Sequence, residues 1–391
     1  MQHSLSIVMP CLNEAETIEE CITKAQEGLS KADIRGEIII ADNGSTDNSV
    51  EIAKRCGAKV VLVIKKGYGN ALKGGIEAAS SNWILMGDAD QSYDFSDISK
   101  FVSKLKEGND LVMGCRLPAG GGKILPGAMP WKNRWIGNPV LSLMGRFLFK
   151  TPIKDFHCGM RAFTKEAYRL MDLQTTGMEF ASEMVLKATL WKMRVAEVPI
   201  TLHPDGRSRP PHLRPWRDGW RHLRFMLIYS PRWLFLIPGL ILSFIGLIGM
   251  IVLYQGPLII NHVVLDSGTM MMLGMALLLG VQLSGFAIST KIFGMSIGLM
   301  PEDKKIHLLL KYFNLEKGLL LGTVTMVTGF LFIGNAFFKW KAAGFGPISY
   351  AENLRNIIPG ATLGVLGIQL IFISFFLSVL GLRTSKITPP N

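Results

Sequence analysis

Two aspartates one residue apart, Asp88 and Asp90, follow the apolar run Trp83 to Met86. A carboxylate pair at the end of a buried strand can hold Mg²⁺ or Mn²⁺, which prefer oxygen ligands and keep positions open for phosphate oxygens. A bound ion of this kind neutralises charge that builds on a departing diphosphate. The competing reading is a capping turn ahead of a helix near Ser96. Asp42 ends a second strand-like run, Glu37 to Ala41, and precedes Asn43-Gly44-Ser45-Thr46-Asp47. It can accept hydrogen bonds from a nucleobase or ribose, or satisfy the backbone of its own turn. Pro10 ends a third run, followed by Asn13 and Glu14, which can contact a nucleotide or cap the next helix.

These residues need a frame that brings them together. Strand-like runs at 5–10, 37–41, 59–64, 83–86 and 110–114 alternate with helical stretches at about 15–29, 45–56, 70–80 and 96–107. Such alternation predicts an α/β domain with a mostly parallel sheet covered on both faces. Ligands on such sheets bind beyond the carboxyl ends of the strands. Pro10, Asp42 and Asp88 all fall at predicted carboxyl ends, so three segments direct their chemistry to one rim. Residues 118–139, rich in Gly, Pro and Trp, read as a loop, and helical stretches return from 140 to 200.

The second half is different. Four uncharged stretches, about 233–253, 269–290, 319–338 and 357–382, reach the roughly 20 residues a membrane span needs. This predicts an all-α transmembrane domain (233–391) after a soluble domain (1–210). Residues 211–232 read as amphipathic juxtamembrane helices, with Trp216, Trp220 and Phe225 among Arg214, Arg217, Arg221 and Arg224. The loop between the second and third spans carries Lys291, Lys304, Lys305, Lys311 and Lys317. The positive-inside rule then places that loop, the soluble domain and the C-terminus in the cytoplasm.

The net charge of +12 points to phosphate-rich partners. Its concentration from Arg207 to Arg232 favours a membrane surface over nucleic acid, for which there is no motif. The five cysteines include no C-x-x-C pair, so neither a disulfide framework nor a zinc site is expected. The N-terminal Met-Gln-His-Ser lacks the features of a signal peptide.

Ile7-Val8-Met9-Pro10 with Asn13-Glu14, Ala41 to Asp47, Gly67-Tyr68-Gly69-Asn70-Ala71 and Asp88-Ala89-Asp90 resemble, in order and spacing, the family 2 glycosyltransferases of GT-A fold. Within that family the chain is similar to the polyprenyl-phosphate sugar transferases, dolichol-phosphate mannose synthases included. The resemblance covers about the first 230 residues. It implies a nucleotide-sugar pocket at Pro10, Asn13, Glu14, Asp42 and Gly69, and a metal and diphosphate site at Asp88 and Asp90. Mannose synthases add a Gln two residues after the second Asp; here Tyr93 takes that place and Gln91, directly after Asp90, is the remaining metal-shell candidate. The resemblance also implies that Arg116, Arg134, Arg161, Arg207, Ser208 and Arg209 bind the lipid phosphate, and forked Arg donors suit phosphate oxygens. Glu183, four residues from Glu179, is expected to position substrate or pair with an Arg. His157 and His203 are expected to be structural.

The expected reaction moves a hexose from a UDP- or GDP-sugar to a membrane polyprenyl phosphate with Mg²⁺ or Mn²⁺; an oligomer is compatible with the sequence. A processive polysaccharide synthase is one rival, but His212 to Trp216 lacks its Gln-x-x-Arg-Trp segment. Transfer to a diacylglycerol or ceramide is another and requires a true base. A membrane scaffold or lipid-carrier translocator is a third.

Overall fold

The computed structural model describes residues 3–208, 215–347 and 349–384. The chain divides into two compact units, Met1–Met226 and Leu227–Asn391.

The first unit is an α/β sheet. β1 (Ser4–Cys11) and β4 (Trp83–Met86) are almost wholly buried, since apolar side chains on both faces leave neither face for water. β2 (Arg35–Asp42), β3 (Lys59–Leu62) and β5 (Leu111–Cys115) complete the strands read from the sequence. The sheet order is β3-β2-β1-β4-β7-β5-β8. β1 pairs in parallel with β2 and β4, with Cys11 opposite Asp42 and Val8 opposite Met86. That register puts the segments following β1, β2 and β4 at one edge. α1 (Ile18–Lys31), α2 (Ser49–Arg55), α3 (Tyr68–Glu77) and α4 (Ile98–Lys106) link these strands.

Residues 118–200 hold more strand than the sequence shows. β6 (Lys123–Ile124) pairs with β9 (Thr201–Leu202), so the 118–139 stretch is tied to a second, two-stranded sheet. A turn at Asn133–Gly137 leads into α5 (Asn138–Phe149). β7 (Arg161–Thr164) then inserts antiparallel between β4 and β5. α6 (Lys165–Met171) and α7 (Glu179–Leu190) precede β8 (Val195–Pro199), which runs parallel to β5. α8 (Pro215–Ile228) follows; its His222 ring nitrogen lies 2.8 Å from the Ser182 hydroxyl of α7.

The second unit contains, among the described residues, four helices long and apolar enough to cross a membrane: Arg232–Gln255, Ser267–Ser296, Leu315–Ala342 and Tyr350–Gly381. These correspond to α9 (Ile237–Gln255) with the turn before it, α10 (Ser267–Ser296), α12 (Leu315–Ala342) and α13 (Tyr350–Thr384); the short α11 (Lys304–Tyr312) lies between α10 and α12. Small residues let the helices approach, as packing without a hydrophobic driving force requires. A Cβ at Gly239 would lie 2.8 Å from the Gly280 carbonyl, and one at Gly329 would lie 2.6 Å from that of Gly360. The Gln369 Nε2 of α13 donates to Gln282 of α10, and Arg355 pairs with Asp266 at 2.8 Å, polar contacts that join the helices.

Candidate functional site

β4 ends against β1 through a bond from Gly87 N to the Val8 carbonyl, and Asp88 follows at the sheet edge. The Tyr68 hydroxyl, at the start of α3, donates to Asp88 Oδ1 at 2.9 Å. Asp90 is buried; its Oδ1 accepts from Ser92 N at 3.0 Å and its Oδ2 from Arg207 Nη2 at 2.7 Å. Burial, and then the negative charge of Asp90, push the Asp88 carboxyl up to about 7, against the pull of Arg207 and Arg116. Gly159 lies beside this pair: a Cβ there would sit 2.8 Å from Asp88 Oδ2, and its N–H donates to the Tyr93 hydroxyl.

Two hard carboxylates, one of them raised by burial and then by its neighbour's charge, make a donor set that fits Mg²⁺ or Mn²⁺. Among the described residues no group of three or more His, Cys, Asp and Glu side chains forms a closed metal cage. Asp88 and Asp90 are the two side chains of the rim that would hold such an ion.

The loops after β1 and β2 build the neighbouring wall. Asp42 is buried, and its carboxylate accepts from Gly44 N at 3.0 Å and Ser45 N at 3.1 Å, which is the turn-forming role. Asn13 adopts φ of 59°, and its Oδ1 accepts from Thr46 N at 2.7 Å, joining the two loops. Asn43 extends the wall: its Nδ2 donates to the Val63 and Lys65 carbonyls and its Oδ1 accepts from Gly67 N. Gly67, at φ of 129°, and Gly69 lie against the carbonyls of Thr176 and Thr175, where a Cβ would meet them at 2.4 and 2.8 Å. Pro10 is half-buried at the end of β1. Glu14 is buried and pairs with Arg207 at 3.2 Å.

Several expected roles change. The Gln91 side chain donates to Glu20 at 2.6 Å, turned from the carboxylate pair to the α1 surface, so it is not placed as a metal ligand. Gln91→Ala is expected to leave Mn²⁺ affinity within about twofold of the parent in a spin-resonance titration, as for a surface change away from the site. Arg161 is fully buried, and its guanidinium donates to the carbonyls of Cys158, Ala181 and Phe156, which leaves it a core residue and no phosphate ligand. Glu183 is also fully buried; it accepts from Gln174 N and Thr175 N and pairs with Lys187 at 3.1 Å, where an Arg was expected. Burial works to raise its pKa, but those bonds and Lys187 hold it lowered.

Arg116 stands near Asp88, yet its Nε and Nη2 are engaged with Asp155 at 2.8 Å each, in a buried fork. Arg134 is half-buried, its guanidinium 5.4 Å from the Trp135 ring centre. Ser208 bonds Glu16 through its N–H and its hydroxyl. Arg209 lies outside the described residues. His157 packs edge-on to His222 at 4.7 Å; burial, then His222, lower its pKa well below the usual value. The sequence reading missed Tyr68 and Arg207 as neighbours of the two aspartates. Tyr68 stood inside a quoted motif, but nothing in the pattern distinguishes a hydroxyl aimed at Asp88 from a core ring.

With this geometry in hand, comparison with known proteins defines the class. Residues 6–171 match the glycosyl transferase family 2, and residues 288–381 match the glycosyltransferase family 2 C-terminal transmembrane region. The protein is thus a sugar-transferring enzyme that carries its own membrane helices. The chain is 36% identical to the low-salt glycan biosynthesis hexosyltransferase Agl6 of Haloferax volcanii, over 97% of this chain and 89% of that one. It is 29% identical to the dolichyl-phosphate hexose transferase of the same organism, over 50% of this chain and 81% of that one. A solved glucosyl-3-phosphoglycerate synthase from Mycobacterium tuberculosis, in complex with Mn²⁺ and uridine-diphosphate-glucose, superposes with a TM-score of 0.46 at 23% identity, over 58% of this chain and 79% of that one. This chain belongs to glycosyltransferase family 2.

Proposed function

We propose that the enzyme moves a hexose from a nucleotide sugar to a polyprenyl phosphate, giving a lipid-phosphate sugar. The observation that carries this reading is the presence, in one chain, of the Asp88–Asp90 rim and four membrane-length helices. The relative named a dolichyl-phosphate hexose transferase supports the acceptor class. A surface of the first unit supports it too. Trp131, Trp135, Ile136, Val140, Leu143 and Phe147 are exposed along one helical stripe, beside Lys132, Arg134 and Arg146. Aromatic and basic residues combined in this way suit the headgroup level of a bilayer.

In the proposed reaction a phosphate oxygen of the lipid attacks the anomeric carbon. The carbon–oxygen bond to the nucleoside diphosphate breaks, and the sugar inverts its configuration. Asp88 and Asp90 would hold Mg²⁺ or Mn²⁺, which supplies charge neutralisation for the leaving group. The phosphate acceptor is already anionic near neutral pH, with a second pKa of about 6, so no side chain has to deprotonate it. Glu183, spent on the 174–175 backbone, is in keeping with such base-free chemistry. Arg134, with Lys132 and Arg146 beside the apolar stripe, would meet an anionic headgroup, and the protein works mainly by positioning. The lysines between α10 and α12 favour a cytoplasmic first unit and C-terminus.

Purified full-length protein, supplied with radiolabelled nucleotide sugars, Mn²⁺ and polyprenyl phosphate, is expected to put label into the organic extract only when the prenyl phosphate is present. Label appearing in diacylglycerol, ceramide or a water-soluble polymer, whether or not prenyl phosphate is added, would refute the reading.

A further inference from the structure

Residues 202–208 lie as a strap across the acidic rim. His203 N donates to the Ser92 carbonyl and Gly206 N to that of Asp90, both at 3.0 Å. Gly206 packs so closely that a Cβ would meet Gln91 Oε1 at 2.1 Å. Ser208 is fastened to Glu16 by bonds of 2.8 and 2.6 Å. Between these anchors Arg207 projects into a nest of carboxylates. Its Nη2 is 2.7 Å from Asp90 and 3.1 Å from Asp205, and its Nη1 is 3.2 Å from Glu14; its side chain is only 13% exposed.

A guanidinium there bridges three carboxylates and offsets part of their mutual repulsion. It also takes the Asp90 oxygen that a divalent cation would use. Two cations cannot share that oxygen at close range in a partly buried site without mutual repulsion.

We propose that Arg207 is a positioning residue that acts through Asp90. In the free enzyme it is the tethered counter-ion of the rim, and it gives up Asp90 when a divalent cation enters, loosening the strap. The inference rests on the reading of Asp88 and Asp90 as the cation's ligands and adds a competitor supplied by the chain itself. A competitor held in place keeps Asp90 oriented before loading. It also weakens binding of the bare ion, which favours arrival of the ion together with an anionic diphosphate to which the released guanidinium can turn.

The test uses full-length protein in detergent with Mn²⁺ alone as the probe. Arg207→Gln removes the competing charge, and free Mn²⁺ is then expected to bind about tenfold more tightly by spin resonance, within the usual range of coupling between two ligands. Arg207→Lys, which keeps the charge, is expected to stay within about threefold of the parent. Unchanged or weaker binding in Arg207→Gln overturns the proposal. Should that variant fail to fold, the parent still decides: Mn²⁺ is expected to speed tryptic cleavage after Arg207, and an unchanged or slower cut overturns it. If the parent protein binds no Mn²⁺ at all, it is the two-aspartate metal site that has failed, an outcome separate from Mn²⁺ binding that ignores Arg207.

Discussion

Asp88→Asn is expected to lose sugar transfer and yet to melt at a higher temperature than the parent at pH 8. The Asp88 carboxyl is raised to about 7 by burial and by Asp90, whereas an unfolded chain gives an Asp about 3.9. Below about pH 4 the residue is protonated in both states and costs nothing. As the pH climbs from about 4 to about 7 the unfolded chain releases its proton first, so ionisation favours unfolding and stability falls. Above about 7 the whole penalty is present. Asn is neutral throughout, and its Oδ1 can still accept from the Tyr68 hydroxyl that now bonds Asp88. The variant should therefore gain about 2–6 °C at pH 8 and nothing near pH 4. Mn²⁺ should narrow the gap by stabilising only the parent, because a ligand stabilises the state that binds it. Turnover should fall by about 10²–10³, the usual loss when one element of charge stabilisation is removed. A variant that turns over normally, or melts lower at pH 8, would show that Asp88 is not a strained ligand of the leaving group's counter-ion.

What the sequence disclosed and what it withheld follow from how far apart the interacting residues lie. The rim was legible because Pro10, Asp42 and Asp88 each end their own apolar run, and a parallel sheet gathers such ends at one edge. The membrane-length helices were legible because a span is a local property of composition. β7 was not: Arg161-Ala162-Phe163-Thr164 has no alternation of its own, and only pairing with two strands from elsewhere makes it a central strand. Asp90 lies 117 residues from Arg207, so no spacing rule could have drawn the two together. Arg161 misleads for a related reason. A forked cation serves a phosphate and a set of carbonyls equally well, and only the fold decides which it meets.

Arg161 makes that last point measurable, since its replacement is expected to have the largest effect on folding of any change considered. The side chain is fully buried in β7, with its backbone opposite Met86 on one side and Met113 on the other. Nε donates to the Cys158 carbonyl at 2.8 Å, Nη2 to Phe156 at 3.0 Å, and Nη1 to Ala181 at the start of α7. One guanidinium thus ties the loop before β7 to the helix that packs beside it. Arg161→Leu takes a donor from three carbonyls in a space water cannot easily fill, and each bond lost there without replacement carries a desolvation cost. A loss of about 3–5 kcal/mol is expected, enough to remove most folded protein from the membrane fraction. Arg161→Lys keeps the charge but presents one compact ammonium where a broad fork reached three separate acceptors. It should melt well below the parent, while the part that stays folded keeps the parent's KM for the polyprenyl phosphate. If Arg161→Lys instead melted like the parent but lost affinity for the acceptor, Arg161 would be the phosphate ligand that its motif implies, and the bonds to Cys158, Phe156 and Ala181 would not be what holds this part of the enzyme together.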